Sequence, residues 1–305
     1  MKIAVIGAGA MGAIYATLFA EAGHDVLVIQ RAGPHLAAIR THGLRLSGFS
    51  GDRTIAVRAV EVAPDEPQDL VIFAVKATQV DVAAREAGGL IGTGTIVLAM
   101  QNGIGAADIL ARSIDPGRIA VGIAAAFGAS LAGPGHARHK GMEAIRIGAH
   151  AGLREDDLAG LAQVWREAGF KAEAVGSIAA MQWEKLICNA SFSAPCGLTG
   201  LTVGAALADA NIGPLCIGAG TEAWTIAKGL GIPISVADPE SHIRGFAARV
   251  AGAKPSLLQD IEAGRPTEID FINGAVPREA RTAGLSAPVN ETLARLVRHR
   301  ETMAR

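Results

Sequence analysis

The sequence predicts an α/β domain built on a mostly parallel, doubly wound sheet, followed by an all-α domain. Three observations carry that expectation. An apolar run at residues 2–6 leads straight into the glycine loop Gly7-Ala8-Gly9-Ala10-Met11-Gly12, which opens a helical period. Short β-branched runs then alternate with helical patterns through the first half of the chain, an order that yields parallel strands with helical crossovers. Beyond Gly176 the pattern changes to long helical periods. At 305 residues the chain exceeds the usual size of one core, so the expected domains are residues 1–176 and 177–305.

Strands are expected at residues 2–6, 25–29, 70–75, 95–100 and 118–123, each a short run of apolar and β-branched residues. Helices at residues 10–22, 78–87 and 105–113 connect several of them. A further set at 142–148, 156–168 and 171–175 reads as the far edge of the sheet. The stretch 186–208 carries no charge and is long enough to span a bilayer. Its Asn189, Pro195, Gly197, Gly200 and Gly204 favour a buried helix followed by a loop.

Half the residues are hydrophobic and 19% are charged, the balance of a globular protein. With a net charge of -1 and acids and bases interspersed, nothing marks a nucleic-acid face or a membrane surface, and the expected partner is a small molecule. Cys188, Cys196 and Cys216 form no CxxC pair, which argues against a disulfide framework or a zinc site and fits a reducing compartment. The N-terminus runs at once into a glycine turn and reads as a strand rather than a signal peptide, so the expected location is cytoplasmic. The uncharged helices after Gly176 are compatible with internal packing or with a homodimer.

The glycine spacing gains meaning from its setting between a strand and a helix, the setting of a Rossmann dinucleotide site. Gly7 permits the tight turn, Gly9 lets backbone approach a pyrophosphate, and Gly12 lets helix and strand pack closely. Ala8, Ala10 and Met11 complete a loop whose helix N-terminus attracts phosphate. NAD-binding versions end the second strand in Asp or Glu, which binds the ribose 2′-hydroxyl. Here that strand ends in Gln30 followed by Arg31, so a 2′-phosphate is favoured and the expected cofactor is NADP(H). Lys76 and Asn102 each follow a strand end, where ligands gather in such sheets.

Lys185, Asn189 and Ser193 are spaced by four in an apolar helical stretch and form a polar stripe. A lysine there must snorkel to water or meet partners in a cleft. A second cluster runs from Ser256 to Gly274, where Pro266, Thr267 and Asp270 read as a helix start with Glu268 in its first turn.

The glycine loop, Lys76-Ala, Asn102-Gly, Trp183-x-Lys185-Leu-x-x-Asn189 and the segment Ser256-x-x-Gln259-Asp260 through Thr267-Glu268-Ile-Asp270-x-Ile-Asn273-Gly274 together resemble the 2-dehydropantoate 2-reductase (ketopantoate reductase) family along nearly the whole chain. The resemblance implies NADPH-dependent reduction of ketopantoate to pantoate for pantothenate and coenzyme A synthesis. It implies Lys185 as general acid, with Glu268 paired to it, contacting substrate and counted among the cofactor contacts. It also implies Asn102 between substrate and nicotinamide, Asn189, Ser193 and Ser256 on polar substrate groups, and no metal. An ammonium suits that chemistry, since a carbonyl receiving hydride develops negative charge on oxygen. The chain departs from the family pattern at Ser193, Val203 and Ala253, where amide or other polar side chains are common. Those departures keep a second reading open, a paralogous reductase of another 2-oxo acid, and a third is a non-catalytic NADPH-sensing protein.

Overall fold

Lys2–Ile6 forms strand β1 in the interior of an eight-stranded sheet, and its last four residues are buried, as in a strand paired on both edges and covered. The computed structural model describes residues 1–125, 127–142 and 144–303. Their contacts separate Met1–Gln101 with Ala106–Ile178 from Asn102–Gly105 with Ala179–Arg305.

In the first unit the strands after β1 are β2 (Asp25–Ile29), β3 (Leu44–Gly48), β4 (Arg53–Ile55), β5 (Arg58–Val60), β6 (Leu70–Phe73), β7 (Ile96–Ala99), β8 (Ile119–Ala125), β9 (Gly128–Gly133), β10 (His136–Gly141), β11 (Ala144–Ala149) and β12 (Ala172–Ala174). The helices are α1 (Ala10–Glu21), α2 (Pro34–His42), α3 (Val80–Glu86), α4 (Ala106–Leu110) and α5 (Glu155–Glu167). The large sheet has the order β12-β11-β8-β7-β6-β1-β2-β5, and its pairs are parallel except β11 with β8. The chain reverses its direction of travel between β1 and β6, and the crevice at such a reversal is where doubly wound sheets take ligands.

Expected strands and helices occur with small shifts at their ends. The expected helix at 105–113 shrinks to α4: Gly105 sits at φ +113° outside helical space, and past Leu110 the Arg112 and Ser113 N–H groups turn to the carbonyls three residues back. The strand expected at 142–148 is β11, and Glu143 lies outside the described residues. A second sheet, ordered β4-β3-β10-β9, was not anticipated. Its strands are short and carry Arg45, Ser47, Arg53, His136 and Arg138, so no apolar run announces them.

Helix α1 is fixed by its apolar side. Tyr15 and Phe19 each meet Trp165 of α5 at 5.0 Å between ring centres, in edge-to-face arrangements. Leu158, Leu161, Ala162 and Trp165 are the buried stripe of α5 at helical spacing. Deleting the Trp165 ring would remove the wedge that sets where α1, and so the glycine loop at its N-terminus, lies.

The second unit contains α6 (Ile178–Thr199, from Ala179 onward), α7 (Val203–Ala208), α8 (Ile212–Gly229), α9 (Pro239–Arg249), α10 (Ser256–Glu262), α11 (Ala275–Thr282) and α12 (Pro288–Met303). Its core gathers Ile187, Ala190 and Cys196 of α6 with Cys216, Ala223 and Ile226 of α8 and Val276 of α11. The three cysteines are free and buried, and burial pushes each thiol up to about 12.

Helix α6 contains Pro195, which removes one donor from the helical ladder. Close to that gap, Asn273 Nδ2 donates to the Ala190 carbonyl at 2.8 Å and to Asn290 Oδ1 at 2.9 Å. Asn290 in turn is held by Glu222, whose carboxylate accepts from Val289 and Asn290 N–H at the start of α12. Arg300 reaches the Gly197 and Leu198 carbonyls at the end of α6. Among the described residues no helix is long and apolar enough to cross a membrane.

Candidate active site

In the first unit Gly7, at φ +91°, makes the turn after β1, and a side chain there would meet Val75 Cγ1 at 2.7 Å. A Cβ on Gly12 would overlap the Gly7 carbonyl, so α1 packs on β1 only because that position is glycine. Gly9 differs, since a Cβ there would enter open space. Gly9 caps α1 with no side chain bound to the helix's first N–H groups and no acid in the first turn. Open space beside exposed backbone donors at a helix's positive end fits a pyrophosphate.

Gln30, just after β2, turns its Oε1 to the Ala8 N–H at 2.9 Å. Arg31 is exposed, and with the Gln79 amide oxygen facing it the guanidinium donates to Gln79 at 3.2 and 3.3 Å. Lys76 precedes the short 3-10 turn Ala77–Gln79 that carries Gln79. Sequence reasoning named Arg31 and Lys76 but missed Gln79, which has no signal beyond following Lys76 by one turn. Gln101 closes the strand ends, donating to the Phe73 and Val75 carbonyls at 2.7 and 2.9 Å.

In the second unit Lys185 Nζ on α6 donates to Asn102 Oδ1 at 2.9 Å. Burial pulls the ammonium down to about 8, and the opposite charge of Glu268 resists that pull. A lysine so placed remains mostly protonated at neutral pH yet gives up its proton far more readily than one in water. Asn102 receives that bond because its segment is tied to the turn bearing Glu268. The Ile104 N–H donates to the Phe271 carbonyl at 2.9 Å, and Arg278 donates to the Ile104 carbonyl at 2.9 Å and the Asp270 carbonyl at 3.3 Å. Gly103, at φ +81°, lies so close to the Phe271 carbonyl that no side chain fits. Asn102-Gly103 reads in sequence as a turn, and Arg278 gave no signal as its anchor.

The expected helix start at Thr267 is a 3-10 turn, Ile269–Phe271, capped by Glu268. It stays short because Thr267 N–H is drawn to Glu301 at 2.7 Å and Asp270 to Arg298 at 2.6 Å. Asn189 lies one turn beyond Lys185 on the same side of α6, and Ser193 one turn further is buried. Ser256 is exposed at the first turn of α10. Val203 and Ala253 are brought together, the Val203 N–H donating to the Ala253 carbonyl at 3.1 Å. A cavity of about 780 Å³ between α7, α8 and α9 contains none of these residues. Among the described residues no cluster of His, Cys, Asp and Glu has the makings of a metal site.

Residues 3–152 match the family described as ketopantoate reductase PanE/ApbA, and residues 177–301 match its C-terminal counterpart. A 2-dehydropantoate 2-reductase of Mesorhizobium japonicum is 34% identical over 98% of this chain and 97% of its own. The chain belongs to the ketopantoate reductase family. Another family member, a 2-dehydropantoate 2-reductase of Pyrococcus abyssi, is 31% identical over 99% of both chains. Among solved structures, a ketopantoate reductase from Ralstonia eutropha superposes with a TM-score of 0.90 at 31% identity, covering 100% of this chain and 99% of that one. A D-mandelate dehydrogenase in ternary complex with NADH and anilino(oxo)acetate superposes with a TM-score of 0.91 at 27% identity and the same coverage. The ketopantoate reductase family thus shares its Rossmann and helical architecture with an enzyme of a different 2-hydroxy acid.

Proposed function

We propose that this chain is an NADPH-dependent 2-dehydropantoate 2-reductase that reduces ketopantoate to pantoate. The observation that carries the reading is Lys185, half-buried, tied to Asn102 and facing the charge of Glu268. Bound NADPH supplies the hydride that adds to C2 of the keto acid. Lys185 Nζ lies ready to donate a hydrogen bond to the C2 oxygen and then its proton as the alkoxide forms. Asn102 holds the ammonium through its Oδ1, which leaves its amide N–H groups to donate to ligand. Glu268 keeps the lysine charged and offers an acceptor to a substrate hydroxyl. Asn189, Ser193 and Ser256 are assigned to the remaining polar groups of the substrate. The glycine loop takes the pyrophosphate, Arg31 takes the 2′-phosphate, and Lys76 is assigned to the cofactor.

The test is consumption of NADPH by the purified protein with ketopantoate, beside a panel that includes an aromatic 2-oxo acid and with NADH run in parallel. Ketopantoate is expected to give the highest kcat/KM, and Lys185→Ala to cut it by about 10³ while leaving NADPH affinity unchanged. No turnover of ketopantoate, or clear preference for another 2-oxo acid, overturns the assignment.

A further inference from the structure

The Ala8 peptide groups are held from both sides by side chains outside the glycine loop. Ala8 itself is fully buried, so each of its backbone polar groups needs a partner. Its N–H donates to Gln30 Oε1 at 2.9 Å, and its carbonyl lies 2.7 Å from His35 Nε2. The His35 ring has a fixed tautomer. Gly135 N–H donates to Nδ1 at 3.0 Å, so the ring proton sits on Nε2 and is given to Ala8. Gly135 belongs to the tight turn between β9 and β10, seated against Ala38 of α2, and this makes the imidazole a strut between that turn and the glycine loop.

A trans peptide points its C=O and N–H in opposite directions, and among the described residues no peptide is cis. Holding the Ala8 N–H on Gln30 therefore aims the Gly7 carbonyl the other way, towards Gly12, where it is found. Holding the Ala8 carbonyl on His35 likewise aims the Gly9 N–H away from His35. That carbonyl would repel a phosphate if it turned into the loop, and the bond to His35 also polarises the peptide whose other end is the Gly9 donor.

We propose that His35 and Gln30 are positioning residues of the dinucleotide site, which fix the two peptides around Ala8 so that Gly9 N–H is presented to the pyrophosphate. The proposal rests on the assignment of an NADP(H) site to this loop. It also implies that Gln30, though it occupies the place of a ribose-reading acid, is committed to the loop and leaves 2′ recognition to Arg31.

The two bonds of His35 can be separated. A glutamine amide nitrogen reaches the position of Nε2 and keeps the bond to Ala8, whereas an asparagine oxygen reaches that of Nδ1 and keeps only the bond to Gly135. Binding of NADPH and of adenosine 2′-monophosphate, which lacks the pyrophosphate, is measured calorimetrically on the full chain without substrate. His35→Asn is expected to raise the Kd for NADPH about tenfold and His35→Gln less than about threefold, both with unchanged affinity for adenosine 2′-monophosphate. Gln30→Met, which leaves the Gly135 turn untouched, is expected to weaken NADPH and spare the fragment in the same way. The proposal fails if His35→Gln is the weaker binder of the pair, if the fragment weakens in parallel with NADPH, or if all three variants bind NADPH as the parent does. A parent chain that binds neither NADPH nor NADH overturns the cofactor assignment and this inference with it.

Discussion

The Lys185 ammonium and the Asn102 carboxamide oxygen stand 2.9 Å apart, with the charge of Glu268 acting on the same lysine. That arrangement makes the lysine's proton affinity adjustable. With Lys185 lowered to about 8, kcat/KM is expected to fall as pH rises through about 8, because the protonated form is the acid. Glu268→Gln removes a charge that raises the lysine, so the alkaline limb moves to lower pH. Asn102→Asp adds one at hydrogen-bond distance, so the limb moves to higher pH, each by about one unit. The position of the limb in a pH–rate profile decides this, whatever happens to the maximum.

Gly103→Ala is expected to destabilise the protein by about 2 kcal/mol or more in urea unfolding, since a non-glycine residue at φ +81° is strained and its Cβ meets the Phe271 backbone. Turnover in the folded fraction should drop as well, because the same residue seats Asn102. Native stability in the variant would show that the Phe271 turn yields.

Gly9→Ala and Gly12→Ala separate folding from ligand binding. The first adds a methyl group to open space on extended backbone that any residue adopts, and the thermal midpoint should hold while NADPH affinity falls about tenfold or more. The second collides with the Gly7 carbonyl and should lower the midpoint outright. Differential scanning fluorimetry with and without NADPH distinguishes the two.

Arg31→Ala is expected to weaken NADPH about tenfold or more and leave NADH little changed, as removal of a guanidinium from a phosphate should. Equal losses for both nucleotides would place Arg31 elsewhere than at the 2′-phosphate.

The large sheet was legible because its strands are apolar runs such as Leu70–Phe73, all four residues of which are buried. The small sheet was not, because β3 and β10 pair Arg45 with His136 across ninety-odd residues, β3 shows only Leu44 and Leu46 on its inward side, and the inward positions of β10 are Ala137 and a histidine, His139. At the candidate site, Lys185, Asn102 and Glu268 each stood out singly, through charge in an apolar stretch, position after a strand and position before a helical turn. Their proximity was implied by the family resemblance and not by the residues themselves, since Lys185 and Asn102 are 83 residues apart and meet through the anchorage of residues 103–104 on Phe271 and Arg278. His35 passed unnoticed because its role depends on Gly135, 100 residues away in the sheet that the sequence did not announce.

The grouping of Asn102–Gly105 with the helices has a consequence for how this chain can be divided. A gene fragment starting at Ala179 would encode every helix of the second unit after its first residue and still lack the amide that meets Lys185. Split-protein reconstitution, or recombination with a relative at that junction, therefore has to carry the four-residue loop along with the helices. A chimera that takes the loop from one parent and Phe271 with Arg278 from the other would inherit a mismatched lysine.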